Sequence, residues 1–469
     1  MVNVLCLLLD CIFFRTLTKF LYSHPSTIIF HCLSALLFLI NNDPHQPPTT
    51  NLLSVICQLD CGHETCGLTL SYQRFALSFK RSAFTRLRFY QYICAMFLLA
   101  FWREALFVGF CFVIAVQLFY YLWFFLRLAL YKPKHKAHTE QLPVSVVICA
   151  RDEADNIVKN LPGVLVQQYQ TSHEVVLVND NSQDDTKYLI DELKRTFKHL
   201  TPVQLTQEAL MIPGKKFPLS MGIKSARYET LLLTDADCVP ASQHWINLMQ
   251  DGYNPNIEIV LGYGAYYKRR GLLNKLIRFE TFHSALQYLS YALAGLPYMG
   301  VGRNLSYKRD VFFRNKGFSS INQVPGGDDD LFINRVANNK NTSIVIESDA
   351  HTLSEPKKTW EEWKNQKSRH FTTAKYYKGI HKFLLGVYSL TQFLVYPLAI
   401  AAAIFFNWWL ALSLFGLRLI VQGFVYYKTM DRLNEKDLWA IYPLLDIWMC
   451  VYYIFFVPAL FKKPKRNWR

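Results

Sequence analysis

The chain has 469 residues, of which 51% are hydrophobic and 18% are charged, and 51 Lys and Arg against 35 Asp and Glu give it a net charge of +16. This composition excludes a disordered chain, a collagen-like repeat and a small disulfide scaffold. The length allows a complete globular core together with membrane segments. The positive charge is compatible with nucleic acid, with the cytoplasmic flanks of membrane helices or with an anionic substrate.

The first 95 residues have no sustained helical or strand periodicity, although they contain seven of the 11 cysteines. A zinc knuckle is conceivable at Cys57, Cys61, His63 and Cys66, but the spacing is irregular and no apolar framework surrounds it. Disulfides would need an oxidising compartment, of which the sequence gives no other sign. We therefore interpret residues 1–95 as an upstream extension without a catalytic role and expect Met96 to be the natural start.

Apolar residues are concentrated in three later blocks. Leu106–Phe125 is a run of 20 residues without a charge, which is long enough to cross a hydrocarbon layer of about 30 Å. Phe383–Leu417 also carries no charge and is too long for one span, so it predicts a helical hairpin that turns near Asn407. Trp439–Phe461 is a further candidate span, although Asp446 interrupts it.

These blocks predict four regions: the extension at 1–95, an anchor at 96–135, a globular domain at 136–380 and a membrane cluster at 381–469. Basic residues directly after the first span place the globular domain in the cytosol, at the plasma (inner) membrane: Lys132, Lys134 and Lys136. Three spans after that domain would put the basic C-terminal tail on the other side. Either one C-terminal segment lies in the interface or re-enters, or the tail breaks the positive-inside rule.

The globular region alternates short apolar strands with helical patterns. The strands are predicted at Pro143–Cys149, Glu174–Asp180 and Thr230–Thr234, and this alternation is typical of an open, mostly parallel α/β sheet. Acidic residues follow each strand, and Asp184 suits the N-cap of the next helix. One such cluster is usually a turn or a cap, but three at successive strand ends predict carboxylates around a single crevice.

Asp235 and Asp237 form the most specific of these clusters. Alternation in an extended segment points both carboxylates in the same direction. Two hard oxygen ligands suit Mg²⁺ or Mn²⁺, and such an ion in turn bridges substrate phosphates. The sequence therefore predicts a divalent metal and a phosphorylated substrate at this position.

Six segments over residues 143–377 together resemble the family 2 glycosyltransferases. They occur in the same order as in that family: VSVVICARDEADNI, VVLVNDNSQDDT, GKKFPLSMGIKSARYETLLLTDADCVP, GVGRNLSYKRDVF, PGGDDDLFINR and QKSRHF. The resemblance implies the GT-A fold and inverting transfer of a sugar from a nucleotide-sugar donor. It also implies that Glu153 and Asp180 hold the ribose and base, that Lys215 faces the base or diphosphate, and that Asp235 and Asp237 bind the metal, with Asp237 as the more direct ligand.

Further assignments follow from the later segments. Asp328 aligns with the catalytic base, and Gln366 and Arg369 match the QxxRW motif, which covers the diphosphate and the acceptor entrance. The chain departs from the family pattern at two positions. Asn179 replaces the first Asp of the usual VDD, which we expect to be harmless because the second is kept. His370 replaces the Trp of QxxRW, which weakens the case for processive polymer synthesis, because that Trp contacts the acceptor sugar.

The same residues suit inverting glycosyl transfer on chemical grounds alone, independently of the family resemblance. Inverting transfer needs a base for the acceptor hydroxyl and cations at the departing diphosphate. The consecutive carboxylates Asp328–Asp330 repel one another, which raises the proton affinity of at least one of them. For Asp329 and Asp330 we expect only capping of a helix over Leu331–Asn338.

The aromatic stretch Trp360–Tyr377 predicts an amphipathic helix in the membrane interface, with basic residues that face anionic headgroups: Lys364, Lys367, Arg369 and Lys375. An active site held against the bilayer implies a lipid-linked acceptor, or a glycan chain fed into the membrane. The alternatives are a processive polysaccharide synthase, a nucleotidyltransferase and an inactive membrane scaffold. Nucleic acid is disfavoured as a partner, because the excess charge lies at membrane flanks without a stacking motif.

Overall fold

The computed structural model describes residues 101–133, 141–206, 212–456 and Pro458. The extension at 1–95 and its cysteine cluster lie outside these residues, so their interpretation stays a prediction. The chain divides into two compact units, residues 1–105 and 106–469, and the second carries the sheets and the helices that pack on them.

In the part of the chain that the structure describes, ten strands form two sheets. In chain order they are β1 Val144–Ala150, β2 His173–Asp180, β3 Leu200–Leu205, β4 Thr230–Asp235, β5 Cys238–Pro240, β6 Ile259–Leu261, β7 Gly264–Tyr266, β8 Leu305–Lys308, β9 Thr342–Ile344 and β10 Thr352–Ser354. The larger sheet has the order β3-β2-β1-β4-β8-β6-β9, and the smaller one has the order β5-β10-β7. Strands β1 to β4 are parallel to one another, whereas β8 runs antiparallel to both β4 and β6. The predicted mostly parallel sheet is thus confirmed, with one reversed strand at its centre.

Twelve α-helices accompany the strands among the described residues. In chain order they are α1 Phe101–Ala129, α2 Ala154–Leu165, α3 Thr186–Thr196, α4 Lys216–Ser225, α5 Trp245–Asp251, α6 Leu272–Leu293, α7 Arg309–Arg314, α8 Asp330–Val336, α9 Trp360–Phe371, α10 Gly379–Phe405, α11 Trp408–Arg432 and α12 Tyr442–Phe456. A π-helical stretch, Tyr120–Phe125, lies inside α1. A 3₁₀ segment, Lys436–Ile441, directly precedes α12.

The central strands are apolar because helices cover both faces of the sheet. The run VSVVICA of β1 is buried along almost its whole length, as expected of a parallel strand between two helical layers. On one face α4 approaches closely, because a Cβ at Gly222 would lie 2.7 Å from a methyl carbon of Val147 and 2.8 Å from one of Val178. Only glycine allows this approach, which brings the start of α4 to the carboxyl ends of the strands.

Within the described ranges, four segments are long and apolar enough to cross a membrane: α1, α10, α11 and Lys436–Phe456. The predicted hairpin is confirmed, because α10 ends at Phe405 and α11 begins at Trp408. Asn407 caps α11 by accepting a hydrogen bond from the Leu410 amide at 3.1 Å. This cap explains why the chain turns where the sequence indicated.

Buried charges on α6 join the globular domain to the long apolar helices. The guanidinium of Arg278 donates to Glu435 and Asp437 in the loop between α11 and α12. Glu280 pairs with Lys367 of α9, and both side chains are less than a tenth exposed. The prediction that Lys367 faces headgroups is therefore wrong, because a buried carboxylate on α6 draws its ammonium inward.

The segment predicted as one interfacial helix over Trp360–Tyr377 is in fact broken. Helix α9 ends at Phe371, and a 3₁₀ turn, Ala374–Tyr376, follows it. Trp363 is buried, whereas Trp360 is about half exposed. One face of this amphipathic helix therefore packs against protein, and the other face is exposed.

Candidate active site

The turns after β1 and β2 interlock and shape the donor side of the crevice. Asp152 and Asn181 both adopt positive φ, at 55° and 54°, which reverses the chain directly after each strand. The Asp152 amide donates to Ser182 Oγ at 2.9 Å, and its carboxylate accepts from the Gln183 amide at 2.8 Å. The two strand ends therefore hold one another in place.

Asp184 completes this interlock in a way the sequence did not indicate. The residue at the N-cap of α3 is Asp185, so the predicted cap position is wrong by one residue. The Asp184 carboxylate accepts from the Thr186 amide at 3.1 Å and from the Ala154 amide at 3.0 Å. It thus stabilises the first turns of two helices, because the turns after β1 and β2 are neighbours in space.

Glu153 and Asp180 stand at these two strand ends. Asp180 is buried, and its carboxylate lies 3.7 Å from the guanidinium of Arg151. Glu153 accepts a hydrogen bond from the Asn156 amide group at 2.5 Å. Burial raises the pKa of Glu153, and the nearby charge of Asp237 raises it further.

Lys215 joins acids from distant parts of the chain. Its ammonium lies 2.8 Å from Asp235 at the end of β4 and 3.2 Å from Asp328, which precedes α8. Burial lowers the pKa of Lys215, but Asp235, Asp328 and Asp329 outweigh this effect and hold it well above its usual range. Burial raises the pKa of Asp235, yet Lys215 dominates and lowers it. The predicted base, Asp328, and the predicted metal motif therefore both contact the ammonium group of Lys215.

Cys149 marks the point where the strand ends meet. Burial raises the pKa of its thiol, and the carboxylates of Asp235, Asp328 and Asp180 raise it further. The nearby Lys215 ammonium opposes this rise in the pKa. A small cavity of about 10 Å³ lies beside the thiol, lined by Cys149, Lys215, Asp235 and Asp328 among others.

Asp235 and Asp237 fit a divalent cation by the chemistry of their donor atoms. Ligand atoms of Asp235, Asp237 and Cys238 lie within 4.8 Å of one another. Burial raises the pKa of Asp237, and the charge of Asp235 raises it further, so a cation between them relieves this repulsion. Burial raises the pKa of Cys238, whose sulfur lies 3.2 Å from Asp237 and 3.0 Å from Ser354. The thiol stays protonated, which leaves two oxygen donors of the kind that Mg²⁺ and Mn²⁺ prefer.

Asp328 follows two glycines with positive φ, Gly326 at 83° and Gly327 at 84°. A Cβ at Gly327 would lie 2.5 Å from the side chain of Leu331, so this position requires glycine. The tight turn presents the Asp328 carboxylate to Lys215. The residues PGG before the acidic run therefore position the candidate base.

Asp329 caps α8, as the sequence predicted. Its carboxylate accepts from the Asp330 amide at 2.7 Å and from the Gly302 amide at 2.8 Å. Burial raises the pKa of Asp329 to about 7, and the charges of Asp328 and Asp330 contribute to this shift. The predicted rise in proton affinity within the acidic run thus falls on Asp329 and Asp330, whose pKa is also raised by burial.

Asp330 does more than cap the helix. One of its oxygens accepts from Thr373 Oγ1 at 2.5 Å and from the Tyr377 hydroxyl at 2.8 Å. Both partners belong to the segment that follows α9. The expectation of a capping role alone is therefore wrong, because Asp330 fastens the end of α9 to the helix behind Asp328.

Gln366 reaches the site through two residues that the sequence analysis did not assign. Its amide nitrogen donates to the Tyr266 hydroxyl at 3.4 Å, and its buried Oε1 has no hydrogen-bond partner in the described part of the chain. The guanidinium of Arg303 lies 4.5 Å from the Tyr266 ring and donates to the Gly264 carbonyl at 2.9 Å. Its charge acts on Asp237. Arg303 lies in GVGRN, part of one of the six segments that resemble family 2 glycosyltransferases, and this position could have indicated a role in the site.

Asn179, Arg369 and His370 complete the predicted set. Asn179 donates to Gln204 at 2.9 Å and accepts from the Ser182 amide. The residue that departs from the family pattern therefore links β2 to the edge strand β3. Arg369 lies one turn after Gln366 on α9. His370 follows Arg369 on the same helix and is exposed.

The profile of glycosyl transferase family 21 matches residues 109–469. The chain belongs to glycosyl transferase family 21. This membership confirms the predicted family 2-type glycosyltransferase with a GT-A fold. It gives no support to the nucleotidyltransferase or to the inactive scaffold.

Individual relatives of this family 21 chain cover less of it. The poly-beta-1,6-N-acetyl-D-glucosamine synthase of Staphylococcus epidermidis is 28% identical over 33% of this chain and 36% of its own length. The probable glycosyltransferase YdaM of Bacillus subtilis is 25% identical over 50% of this chain and 56% of its own. The chain thus spans between a third and a little over half the length of these curated relatives.

Two solved structures are similar to the family 21 chain. The mannosyltransferase PcManGT from Pyrobaculum calidifontis, in complex with GDP-Man and Mn²⁺, is 19% identical, has a TM-score of 0.47 and covers 74% of this chain and 99% of its own. TarS 1–349 of S. aureus, in complex with UDP-GlcNAc, is 15% identical, has a TM-score of 0.35 and covers 65% of this chain and 92% of its own.

Proposed function

We propose that this family 21 enzyme is a membrane-anchored inverting glycosyltransferase. It moves a sugar from a UDP- or GDP-sugar to a hydroxyl of a lipid-linked or glycan acceptor, with Mg²⁺ or Mn²⁺. The observation that carries this proposal is the Lys215 ammonium, which contacts both Asp235 and Asp328. The proposed metal ligand on the donor side and the proposed base on the acceptor side therefore meet at the Lys215 ammonium.

On the donor side, Glu153 and Asp180 hold the ribose and base. Asp237 and Asp235 would hold the cation, which when bound neutralises charge on the diphosphate. Lys215 stands beside this pair and supplies a fixed positive charge where the leaving group gains negative charge. Its two carboxylate contacts orient the ammonium before the donor arrives.

Cationic and polar groups close the opposite wall of the cleft. The Arg303 guanidinium acts on Asp237, and Gln366 has an open carbonyl oxygen directed into the protein interior. Arg369 follows on the same helix and covers the diphosphate at the acceptor entrance. These residues hold the donor in one orientation, which brings its anomeric carbon towards Asp328.

On the acceptor side, Asp328 is the general base. Its carboxylate takes the proton from the acceptor hydroxyl while that oxygen forms a bond to the anomeric carbon. The bond from this carbon to the diphosphate oxygen breaks on the opposite face, so the configuration inverts. The Lys215 ammonium holds the Asp328 carboxylate in place at a distance of 3.2 Å.

The acceptor entrance lies beside the apolar helices. Helix α9 carries Gln366 and Arg369, and Trp360 at its start is about half exposed. Helix α10 begins at Gly379, soon after α9 ends. This placement supports a lipid-linked acceptor, with the catalytic domain in the cytosol at the plasma (inner) membrane.

A processive polysaccharide synthase is the second candidate. The Staphylococcus relative is named as a polymer synthase. Against this candidate, His370 stands where the family pattern has Trp. Product length separates the two, because a single added sugar excludes processive synthesis.

The test uses the purified full chain with a panel of UDP- and GDP-sugars, with and without Mn²⁺. We expect one donor to be consumed, and only with the metal. Asp237→Ala should shift the midpoint of the Mn²⁺ titration of donor binding at least about tenfold, because one oxygen ligand is lost. Asp310→Ala, on an exposed carboxylate, is the matched control. An unchanged titration in Asp237→Ala would contradict the metal assignment.

A further inference from the structure

The segment Lys436–Phe456 is apolar and long enough to cross a membrane, but its α-helical part is short. Helix α12 has 15 residues and extends about 22 Å, and the 3₁₀ segment before it adds about 12 Å, so the contacts of the segment, and not its length, decide whether it crosses a hydrocarbon core of roughly 30 Å. Its contacts show where each of its ends lies.

The segment begins beside the catalytic domain. Glu435, just before it, is paired with Arg278 of α6, and both side chains are 2% exposed. The indole of Trp439 donates to the Gly423 carbonyl at 2.9 Å, and the Tyr442 hydroxyl donates to the Leu419 carbonyl at 3.0 Å. From the C-terminal end of α11, these contacts therefore extend only to the middle of that helix, where Leu419 lies.

The middle of α12 is held by α10 and α11. The Asp446 carboxylate accepts hydrogen bonds from Gln392 and Tyr396 of α10 and from Gln422 and Arg418 of α11. All four donors belong to central turns of their helices. Asp446 therefore fixes the depth of α12 against the hairpin.

The end of α12 returns to the catalytic domain. The Phe456 ring lies 5.7 Å from Trp363 and 5.6 Å from Phe371, both on α9. One turn earlier, Tyr452 donates to Glu280 of α6 at 3.2 Å. A helix that crossed the bilayer would carry these residues away from the catalytic domain, towards the α10–α11 turn.

We propose that Lys436–Phe456 lies along the cytosolic leaflet as a lipid-binding surface, and that the C-terminal tail is on the side of the catalytic domain. Its outward side chains suit acyl chains: Leu444, Ile447, Ile454 and Phe455 are between 47% and 69% exposed. Basic residues follow it and suit anionic headgroups: Lys462, Lys463, Lys465, Arg466 and Arg469.

This arrangement leaves three crossing helices, α1, α10 and α11. The basic residues after α1 and those of the tail then lie on the same side, which satisfies the positive-inside rule. The inference rests on the membrane anchoring proposed above. It removes the conflict that three C-terminal spans would create.

Depth measurement with spin labels in reconstituted full chain tests the proposal. Labels at Leu444→Cys and Phe455→Cys are eleven residues apart on α12. The matched control is Trp409→Cys and Ile420→Cys, eleven residues apart on α11 and similarly exposed, at 65% and 72%. Eleven helical residues along the membrane normal change the depth by about 16 Å.

We expect a depth difference near that value for the α11 pair and less than half of it for the α12 pair. An α12 pair that differs as much as the α11 pair overturns the proposal. An α11 pair that lipid-borne quenchers do not reach would instead contradict the membrane anchoring, so the two failures are distinguishable.

Sidedness gives an independent readout. In sealed vesicles, an epitope tag after Arg469 should be reached from the same side as a thiol at Tyr188→Cys, a position 73% exposed on the catalytic domain. Accessibility only from the side that labels Trp409→Cys would overturn the proposal.

Discussion

Among the acid–cation clusters in the described residues, the one in the cleft and the one between the apolar helices differ in how completely the acid is enclosed. In the cleft, the side chain of Asp235 is 34% exposed although it contacts Lys215. Between the apolar helices α10, α11 and α12, the side chains of Arg418 and Asp446 are both 0% exposed, and four side chains donate to the carboxylate. An acid that keeps accessible oxygens can bind a ligand, whereas a fully enclosed and fully bonded acid stabilises the helix packing.

The largest expected effect is on catalysis in the cleft. Asp328→Asn should lower kcat by about 10² to 10⁴, because the proton acceptor is lost while the shape of the side chain is kept. Donor affinity should stay nearly unchanged. Transfer assays and nucleotide binding by calorimetry measure both quantities. Normal turnover in this variant would show that another group is the base.

The enclosed pair should respond in the opposite way. Arg418→Met leaves a buried carboxylate without its cation and should lower the free energy of unfolding by about 3 to 5 kcal/mol. The double variant with Asp446→Leu should recover much of this loss, because no charge then stays buried. Thermal unfolding in detergent measures the difference. If Asp328→Asn destabilises the chain as much as Arg418→Met, the contrast between the clusters fails.

The pH dependence of stability sharpens the contrast within the cleft. Since the folded-state pKa of Asp329 is raised from 3.8 to about 7, the folded chain binds more protons than the unfolded chain between these values. Stability therefore falls as pH rises through this window, by at most about 1.4 kcal/mol per pH unit. Asp329→Asn keeps the N-cap and should flatten the slope of unfolding midpoints between pH 5 and 7. A slope identical to that of the parent would contradict the role of Asp329.

The smallest expected effect concerns the bond that fastens α9 behind the base. Thr373→Val removes one donor to Asp330, which is worth about 1 kcal/mol, or roughly fivefold in kcat if it positions Asp328. Thr373→Ser restores the hydroxyl and should restore the rate. A rate that falls equally in both variants would indicate a packing effect of the methyl group.

Much of this architecture could be predicted from local patterns. The apolar strands, the Asn407 turn and the acids at the ends of β1, β2 and β4 follow from short-range composition and from the rule that parallel strands present their carboxyl ends together. The order of the six segments then placed Asp328 and Lys215 in one site. Each of these signals lies within a few residues of the chain.

What could not be predicted depends on contacts between distant segments. The stacking of Arg303 on Tyr266 and the bonds of Asp330 to Thr373 and Tyr377 join residues that share no local pattern. Lys367 was placed towards lipid because helical periodicity separates two faces but does not say which face meets protein. Its partner, Glu280, is 87 residues away.

The contact between Arg278 and Glu435 has a practical consequence for anyone who wishes to excise the catalytic domain. A fragment that stops at the start of α10 would lack Glu435 and Asp437 and would leave a guanidinium that is now 2% exposed against apolar neighbours. Such a fragment would aggregate or bind detergent through that bare surface. We therefore expect the catalytic domain to be more stable as part of the whole polypeptide than as a fragment that ends before α10.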